Sequence, residues 1–437
     1  MSNQSTKNND MNDDGMLNAE TQRKLPQGKI LQPKLRFKGF TDPWQQRKLG
    51  EVTSSLSAGR SVNALDAYPG EEEVGVLKTS SVSDDSFNPH ESKTVVKDER
   101  GLVQCPVEAG TIIVSRMNTP ERVGSCGLVV KAQSNLYLPD RLWKLKLKSG
   151  TDSRFLHVLL TSNIYKSRIV RMATGTSGSM HNIPKDSFLD MRIVLPDIAE
   201  QTRMGEFFRA LDDLIAAAKK KADLLKLKKR YYLQAIFGQR LRFKGFTEPW
   251  QQRKLEELCI RVGSGGTPSG QHPEYYNGKI PFLGISDLSG RTVSATQKKI
   301  TQKGLDNSAA WLVPKGSITL AMYASVGKVA ILGIELATSQ AFFNMVIPEK
   351  TCIRDFLFSR LEKADICHEW LPLISTGTQP NLNAAKLKDW ELKVPSTQER
   401  KTIGEFFHAL DDLAAALARK IELLERRKTA YLQRLFV

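Results

Sequence analysis

The sequence predicts an α+β (mixed α/β) chain: two globular domains joined by two long antiparallel coiled-coil helices, with a pseudo-twofold internal repeat. Three observations predict it. A 14-residue head occurs twice, as RFKGFTDPWQQRKL at 36–49 and RFKGFTEPWQQRKL at 242–255, at an offset of 206. A helical segment also occurs twice, at 205–237 and 404–436, with 19 of 33 positions identical and an offset of 199. Between these borders lie two bodies that differ strongly from each other yet keep spaced anchors, Leu77 with Leu283 and Gly110 with Gly316. Repeats of this kind mark one supersecondary unit used more than once. The expected segments are a disordered leader 1–34, a first domain 35–195, a central helix 196–238, a second domain 239–394 and a C-terminal helix 395–437.

The heads carry Trp44 and Trp250, each after a proline, and both read as packing anchors. The bodies alternate short apolar runs with polar turns, a strand-like pattern. Candidate strands are 75–77, 111–115, 141–147 and 191–195 in the first body, and 280–283, 317–322, 341–347 and 391–394 in the second.

Each helix shows apolar residues in steps of three and four. The first stripe runs Met204, Phe208, Leu211, Ile215, Ala218, Ala222, Leu225, Tyr232, Ile236, and Lys229 interrupts it. The second runs Ile403, Phe407, Leu410, Ala414, Leu417, Ile421, Leu424, Tyr431, Leu435, and Lys428 interrupts it. Such spacing places the side chains on one coiled-coil seam. Phe208, Leu211, Leu225, Phe407, Leu410 and Leu424 are its candidate partner-binding residues. Asp197 with Glu200, and Ser396 with Glu399, have the spacing of capping boxes. A helix of about 40 residues is roughly 60 Å long and buries its stripe by pairing with its twin, antiparallel so that one body sits near each end. The chain ends at LQRLFV, where the first copy turns into the second head, so the terminus is expected near Arg36 in a nearly circular molecule. The lysine-rich stretch Lys219, Lys220, Lys221, Lys226, Lys228, Lys229, Arg230 reads as a solvated helix face.

A net charge of +17 suggests an anionic partner. The excess is shared: residues 36–195 carry 22 basic and 17 acidic side chains, and residues 242–394 carry 19 and 14, so each body is +5. Polar loops punctuate both, GSGGTPS at 263–269, TGTSGSMHN at 174–182 and STGTQPNLN at 375–383. Glycine lets backbone amides approach phosphates, and Ser, Thr, Asn, Gln and Arg reach phosphates or base edges. The candidate DNA-binding residues are Arg116, Arg122, Arg141, Thr176, Ser179 and Asn182 in the first body, and Arg261, Thr267, Lys328, Gln340, Thr378, Gln379 and Asn381 in the second.

Catalytic engines are missing from the sequence. It has no Asn/Asp-Pro-Pro-aromatic methyltransferase motif, no phosphate-binding loop around Gly327-Lys328, no paired histidines and no convincing nuclease cluster, so no catalytic residue and no metal ligand is assigned. Five scattered cysteines (Cys105, Cys126, Cys259, Cys352, Cys367) read as buried thiols of a reducing cytoplasm. No apolar run is long enough for a membrane span.

Taken together, these residues resemble the specificity subunit of type I restriction-modification systems over about residues 35–437. The resemblance rests on the duplicated R-F-x-G-F-x-x-x-W head, the Pro-x-x-x-Glu-Gln segment at 196–201, the GEFF–ALDDL helices and GSGGTPS…YYNGKIPFL at 263–283, with Arg400 departing from Gln201. It implies a non-catalytic chain whose two bodies are target-recognition domains reading a bipartite, asymmetric double-stranded DNA target. It further implies paired helices that act as a ruler, two methyltransferase subunits, and endonuclease/translocase subunits. S-adenosylmethionine, ATP and magnesium would be held by those partners, with no cofactor on this chain. An independent DNA-binding regulator and a structural coiled-coil adaptor are the rival readings.

Overall fold

A computed structural model describes residues 33–436 apart from 84–85, 178–179 and 376–380; residues 1–32, most of the expected leader, lie outside it. The chain forms two compact units, one built from residues up to 212 together with 426 onward, the other from 213–425. Each long helix, Ile198–Phe237 and Thr397–Leu435, therefore contributes to both.

In the first unit the head strand Gln45–Lys48 pairs antiparallel with Arg192–Leu195. An antiparallel sheet follows in the order Cys126–Leu128, Ile112–Ser115, Leu142–Leu147, Thr53–Ala58. A second sheet contains the parallel pair Gln133–Tyr137 and Gly75–Leu77. Helices Ser153–Thr161 and Asn163–Met172 carry Phe155, Leu156, Leu159, Tyr165 and Ile169 into the core.

The second unit repeats this plan. Gln251–Lys254 pairs with Glu391–Val394. Arg261–Ser264, Phe342–Val346, Ile318–Ala321, Val329–Leu332 and, parallel to the last, Thr292–Val293 form the sheet in that order, and Tyr276–Leu283 runs parallel to Leu336–Thr338. Helix Ile353–Ile366 fills the core with Phe356, Leu357, Phe358 and Leu361. The expected strands are all present, with ends shifted by a residue or a few.

The helix stripes are buried in the expected register. Met204, Phe208, Leu211, Ile215, Ala218, Leu225 and Ile236 are buried, with Ala222, Lys229 and Tyr232 half-buried; Ile403, Phe407, Leu417 and Leu435 are buried, with Leu410 and Leu424 half-buried. Within each unit the helical segments run antiparallel. In the first, Phe207 meets Tyr431 with ring centroids 5.0 Å apart, and Phe208 stacks on Phe436 at 5.9 Å. In the second, Phe406 meets Tyr232 at 5.2 Å and Phe407 stacks on Phe237 at 5.9 Å. These are the same contacts with the two copies exchanged.

The chain terminus completes the pattern. In the second unit the head follows the central helix directly, and Leu241 N–H donates to Ala235 O at 3.1 Å. In the first unit Leu35 N–H donates to Arg434 O at 2.9 Å, so the C-terminal helix meets the first head as the central helix meets the second.

Candidate nucleic-acid interface

The repeated motifs build the frame on which the variable loops stand. Arg36 donates from Nε and Nη2 to the two carboxylate oxygens of Glu200, at 2.8 and 2.7 Å, and Trp44 Nε1 adds a bond at 3.2 Å. Arg242, Trp250 and Glu399 reproduce this at 2.9, 2.7 and 3.2 Å. Both glutamates are 1% exposed. A bidentate guanidinium with a third donor satisfies a buried carboxylate, and the bond to Glu200 raises the Arg36 pKa against the opposing effect of burial. This corrects the capping-box expectation. Asp197 and Ser396 do accept the Glu200 and Glu399 backbone N–H groups, but the glutamate side chains turn to the head instead of closing the box. The head motif is thus explained as a clamp on the helix start, and Trp44 and Trp250 are buried in it.

The GEFF glycines have a packing role. A Cβ on Gly205 would lie 2.8 Å from Asp152 Oδ1 and 2.9 Å from Arg154 Cβ; on Gly404 it would lie 2.9 Å from Asp355 Cβ. Glycine lets the domain helix press against the long one. Gln201 adds a bridge in the first unit, accepting from Asp152 N–H and donating to Pro196 O. Arg400 replaces it in the second, with its Nε buried and unpartnered, and burial lowers its pKa.

In the first unit the candidate readers converge on one end of the main sheet. Arg116 N–H donates to Arg141 O at 3.1 Å, and Ile183 N–H donates to Arg116 O at 2.9 Å. Met117 pairs with Asn182, and strand Thr174–Ser177, which holds Thr176, lies alongside. Arg122 occupies the turn between Ile112–Ser115 and Cys126–Leu128. Arg122 and Arg141 are exposed, whereas Arg116 is half-buried, donates to Asp140 O at 2.8 Å and lies 5.8 Å from the centre of the Trp143 ring. Ser179 lies outside the described residues.

The second unit brings its residues together at the equivalent sheet end. Thr267 Oγ1 donates to Gln340 Oε1 at 2.7 Å. Exposed Lys328 closes the turn after Ile318–Ala321. Asn381 pairs with Ser375, and Leu382 N–H donates to Met322 O. Arg261 is placed apart: its register partner is Val346, at the far end of the strand that Gln340 precedes. Its guanidinium stacks 3.9 Å from the Trp311 ring centre, and Trp311 Nε1 is held by Ser264 O at 3.1 Å. Thr378 and Gln379 lie outside the described residues.

Three expectations need correction. The loop glycines at 265 and 266 are used internally: a Cβ on Gly265 would sit 1.9 Å from Thr338 O, and the Gly266 N–H already donates to that oxygen at 3.0 Å. Both shape the loop by their close approach to Thr338 and Ala309, and the Gly266 amide is not free for a phosphate. Lys229 is not solvated; it is paired with Glu362 and Asp411. The thiols are not uniformly buried, since Cys352 is exposed, while Cys126 is buried and burial pushes Cys259 up to about 12. Sequence reading missed Trp311, Asn344 and Arg291. Asn344, fully buried, ties Thr319, Thr338 and Gly263 together beneath the second domain's loop. A polar residue in an apolar strand (FFNMV) was the available signal. Among the described residues no helix is long and apolar enough to cross a membrane, and no group of three acidic, histidine or cysteine side chains could hold a metal.

Comparison with known proteins agrees with this frame. A profile for the type I restriction modification DNA specificity domain matches residues 41–227 and 247–426. The MjaIX specificity subunit of Methanocaldococcus jannaschii is 33% identical over 181 residues, 40% of this chain and 41% of that protein. The EcoEI specificity subunit of Escherichia coli is 28% identical over 177 residues, only 30% of its length. The HindI specificity subunit of Haemophilus influenzae is 22% identical over 456 residues, 84% of this chain and 94% of that one. In fold, the S subunit from M. genitalium superposes with a TM-score of 0.61 at 16% identity, covering 93% of this chain and 99% of the other. With the specificity-domain profile matched in both copies of the repeat, the chain belongs to the type I restriction-modification specificity subunits.

Proposed function

We propose that the chain reads a bipartite, asymmetric double-stranded DNA target, one half-site with each target-recognition domain (35–195 and 239–394), while the helices 196–238 and 395–437 set the spacer between them. The observation that carries this reading is one scaffold built twice with different side chains around a shared asparagine (Asn182, Asn381) at the same sheet end: Arg116 and Arg141 on one copy, Thr267, Lys328 and Gln340 on the other. A shared frame with different donors and acceptors is what distinguishing two base sequences in the major groove requires. Lysine and arginine contacts to phosphate fix the register without carrying sequence information.

Two methyltransferase subunits and the endonuclease/translocase subunits dock on this chain in the cytoplasm. They bring S-adenosylmethionine, ATP and magnesium, so methylation and cleavage take place on the partners. The chain contributes address and geometry.

Replacing residues 53–173 with the corresponding body of another specificity subunit, then mapping methylated sites, tests the reading. One half-site changes and the other stays; a change in both defeats it. Inserting four residues near Ala218 adds about one helical turn, roughly 6 Å, and lengthens the spacer with the bases read unaltered. An unchanged spacer removes the helices from that role.

A further inference from the structure

In the second unit the repeated lysine–aspartate pair, here Lys229 with Asp411, is extended into a charge network that the repeat does not explain. The network joins four separate elements at one point. Arg291 precedes strand Thr292–Val293 of the second domain. Its Nη1 reaches Asp411 Oδ2 on the C-terminal helix at 2.6 Å, and its Nη2 reaches Asp355 Oδ1 on helix Ile353–Ile366 at 2.5 Å. Lys229 of the central helix bonds the same Asp411 and, at 2.7 Å, Glu362. The Arg291 guanidinium lies 4.2 Å from the centre of the Phe358 ring. Asp355, Phe358 and Glu362 are three and four residues apart and so share one helix face. His408 approaches Asp355 at 3.9 Å, and Arg354 borders the network at 3.1 Å from Asp355.

These groups are largely withdrawn from water: Arg291 is 12% exposed, Asp411 15% and Lys229 16%. Hydrogen-bonded charges in such a setting are directional and resist rotation more than apolar contact does. Phe356 and Phe155 occupy corresponding places, each packing its ring on the head tryptophan, Trp250 or Trp44. Counting from them, Asp355, Phe358 and Glu362 correspond to Arg154, His157 and Thr161 in the first unit. The acids are absent there.

We propose that Arg291 is a positioning residue: through Asp411, Asp355 and the Lys229–Glu362 pair it locks the second target-recognition domain to the helices and makes the spacing of the target strict. The proposal rests on the two-half-site reading above. A freed domain tilts on the helices and tolerates a longer or shorter spacer, while its own base contacts stay intact.

The test uses the full chain assembled with its methyltransferase subunits and DNA libraries carrying the wild-type half-sites at spacers one base pair shorter, correct and one longer. Arg291→Gln is expected to lower the preference for the correct spacer about tenfold, equivalent to about 1.4 kcal/mol, with base preference in both half-sites unchanged; Arg291→Lys restores part of it. Asp411→Asn, which cuts the same bond from the helix side, gives the same relaxation and serves if Arg291→Gln fails to fold. Unchanged spacer preference in a folded variant overturns the proposal. So does lost base preference in the second half-site, which would make Arg291 a reader, and so does failure of both variants to fold. A wild-type complex with no spacer preference defeats the two-half-site reading itself, a distinct outcome.

Discussion

Lys229 and Lys428 occupy the same position of the repeat, each interrupting an apolar stripe, and each pairs with an aspartate of the opposite helix: Asp411 for Lys229, Asp212 for Lys428. Their surroundings differ. Lys229 is 16% exposed and shared with Glu362, while Lys428 and Asp212 are 33% and 49% exposed and interact across 2.6 Å in contact with solvent. A polar residue in a coiled-coil seam selects register at some cost in stability. Here one motif performs that task twice, and only in the second unit does the surrounding domain enclose it. Sequence identity within a repeat therefore sets which groups meet, whereas the energy of the meeting depends on what the diverged body places around it.

The largest expected effects test the part of the comparison where the units agree. Phe208→Ala and Phe407→Ala each remove a fully buried ring from an aromatic stack and are expected to lower stability by about 4 kcal/mol, with similar losses at both positions in thermal or urea unfolding. A large difference between them would break the equivalence of the two helix starts. Glu200→Ala strands Arg36 and the Trp44 N–H in a buried site and is expected to lose about 3 kcal/mol.

The seam lysines test the part where the units differ. Lys229→Met leaves Glu362 and Asp411 without their shared ammonium, an expected loss of about 2 kcal/mol. Lys428→Met stays within about 1 kcal/mol because its pair is solvated. Their pH dependence sharpens the contrast. Burial raises the Glu362 carboxyl pKa, and Lys229 pulls against that rise. A carboxyl whose folded value lies above its unfolded value favours the native state at low pH, and this contribution is lost as pH rises through the folded value. Removing Lys229 strengthens the rise, so the Lys229→Met loss is expected to be larger at pH 8 than at pH 5, measured by chemical unfolding. The Lys428→Met loss is expected to show no comparable increase. Equal pH profiles would remove enclosure as the cause.

The helices were legible because a heptad stripe needs no knowledge of its partner: Phe208, Leu211, Leu225, Phe407, Leu410 and Leu424 all fall on the seam side. The strands were legible because a short apolar run between turns has few alternatives. The role of Glu200 was not. Three residues after a cap it has the spacing of a box, and only the approach of a head 164 positions away supplies Arg36. The candidate readers were partly legible. Thr267 and Gln340 are brought together from 73 positions apart, while Arg261, chosen on the same grounds, is set at the other end of its strand.

Sequence by itself determined the repeat, the helix register and the family, because these depend on spacing along one chain. Tertiary structure alone decided which charges are enclosed, which glycines are consumed by close packing and which polar residues share a sheet end. Those outcomes depend on pairings between residues far apart in the chain, and burial changes the strength of such a pair without changing the residues that make it.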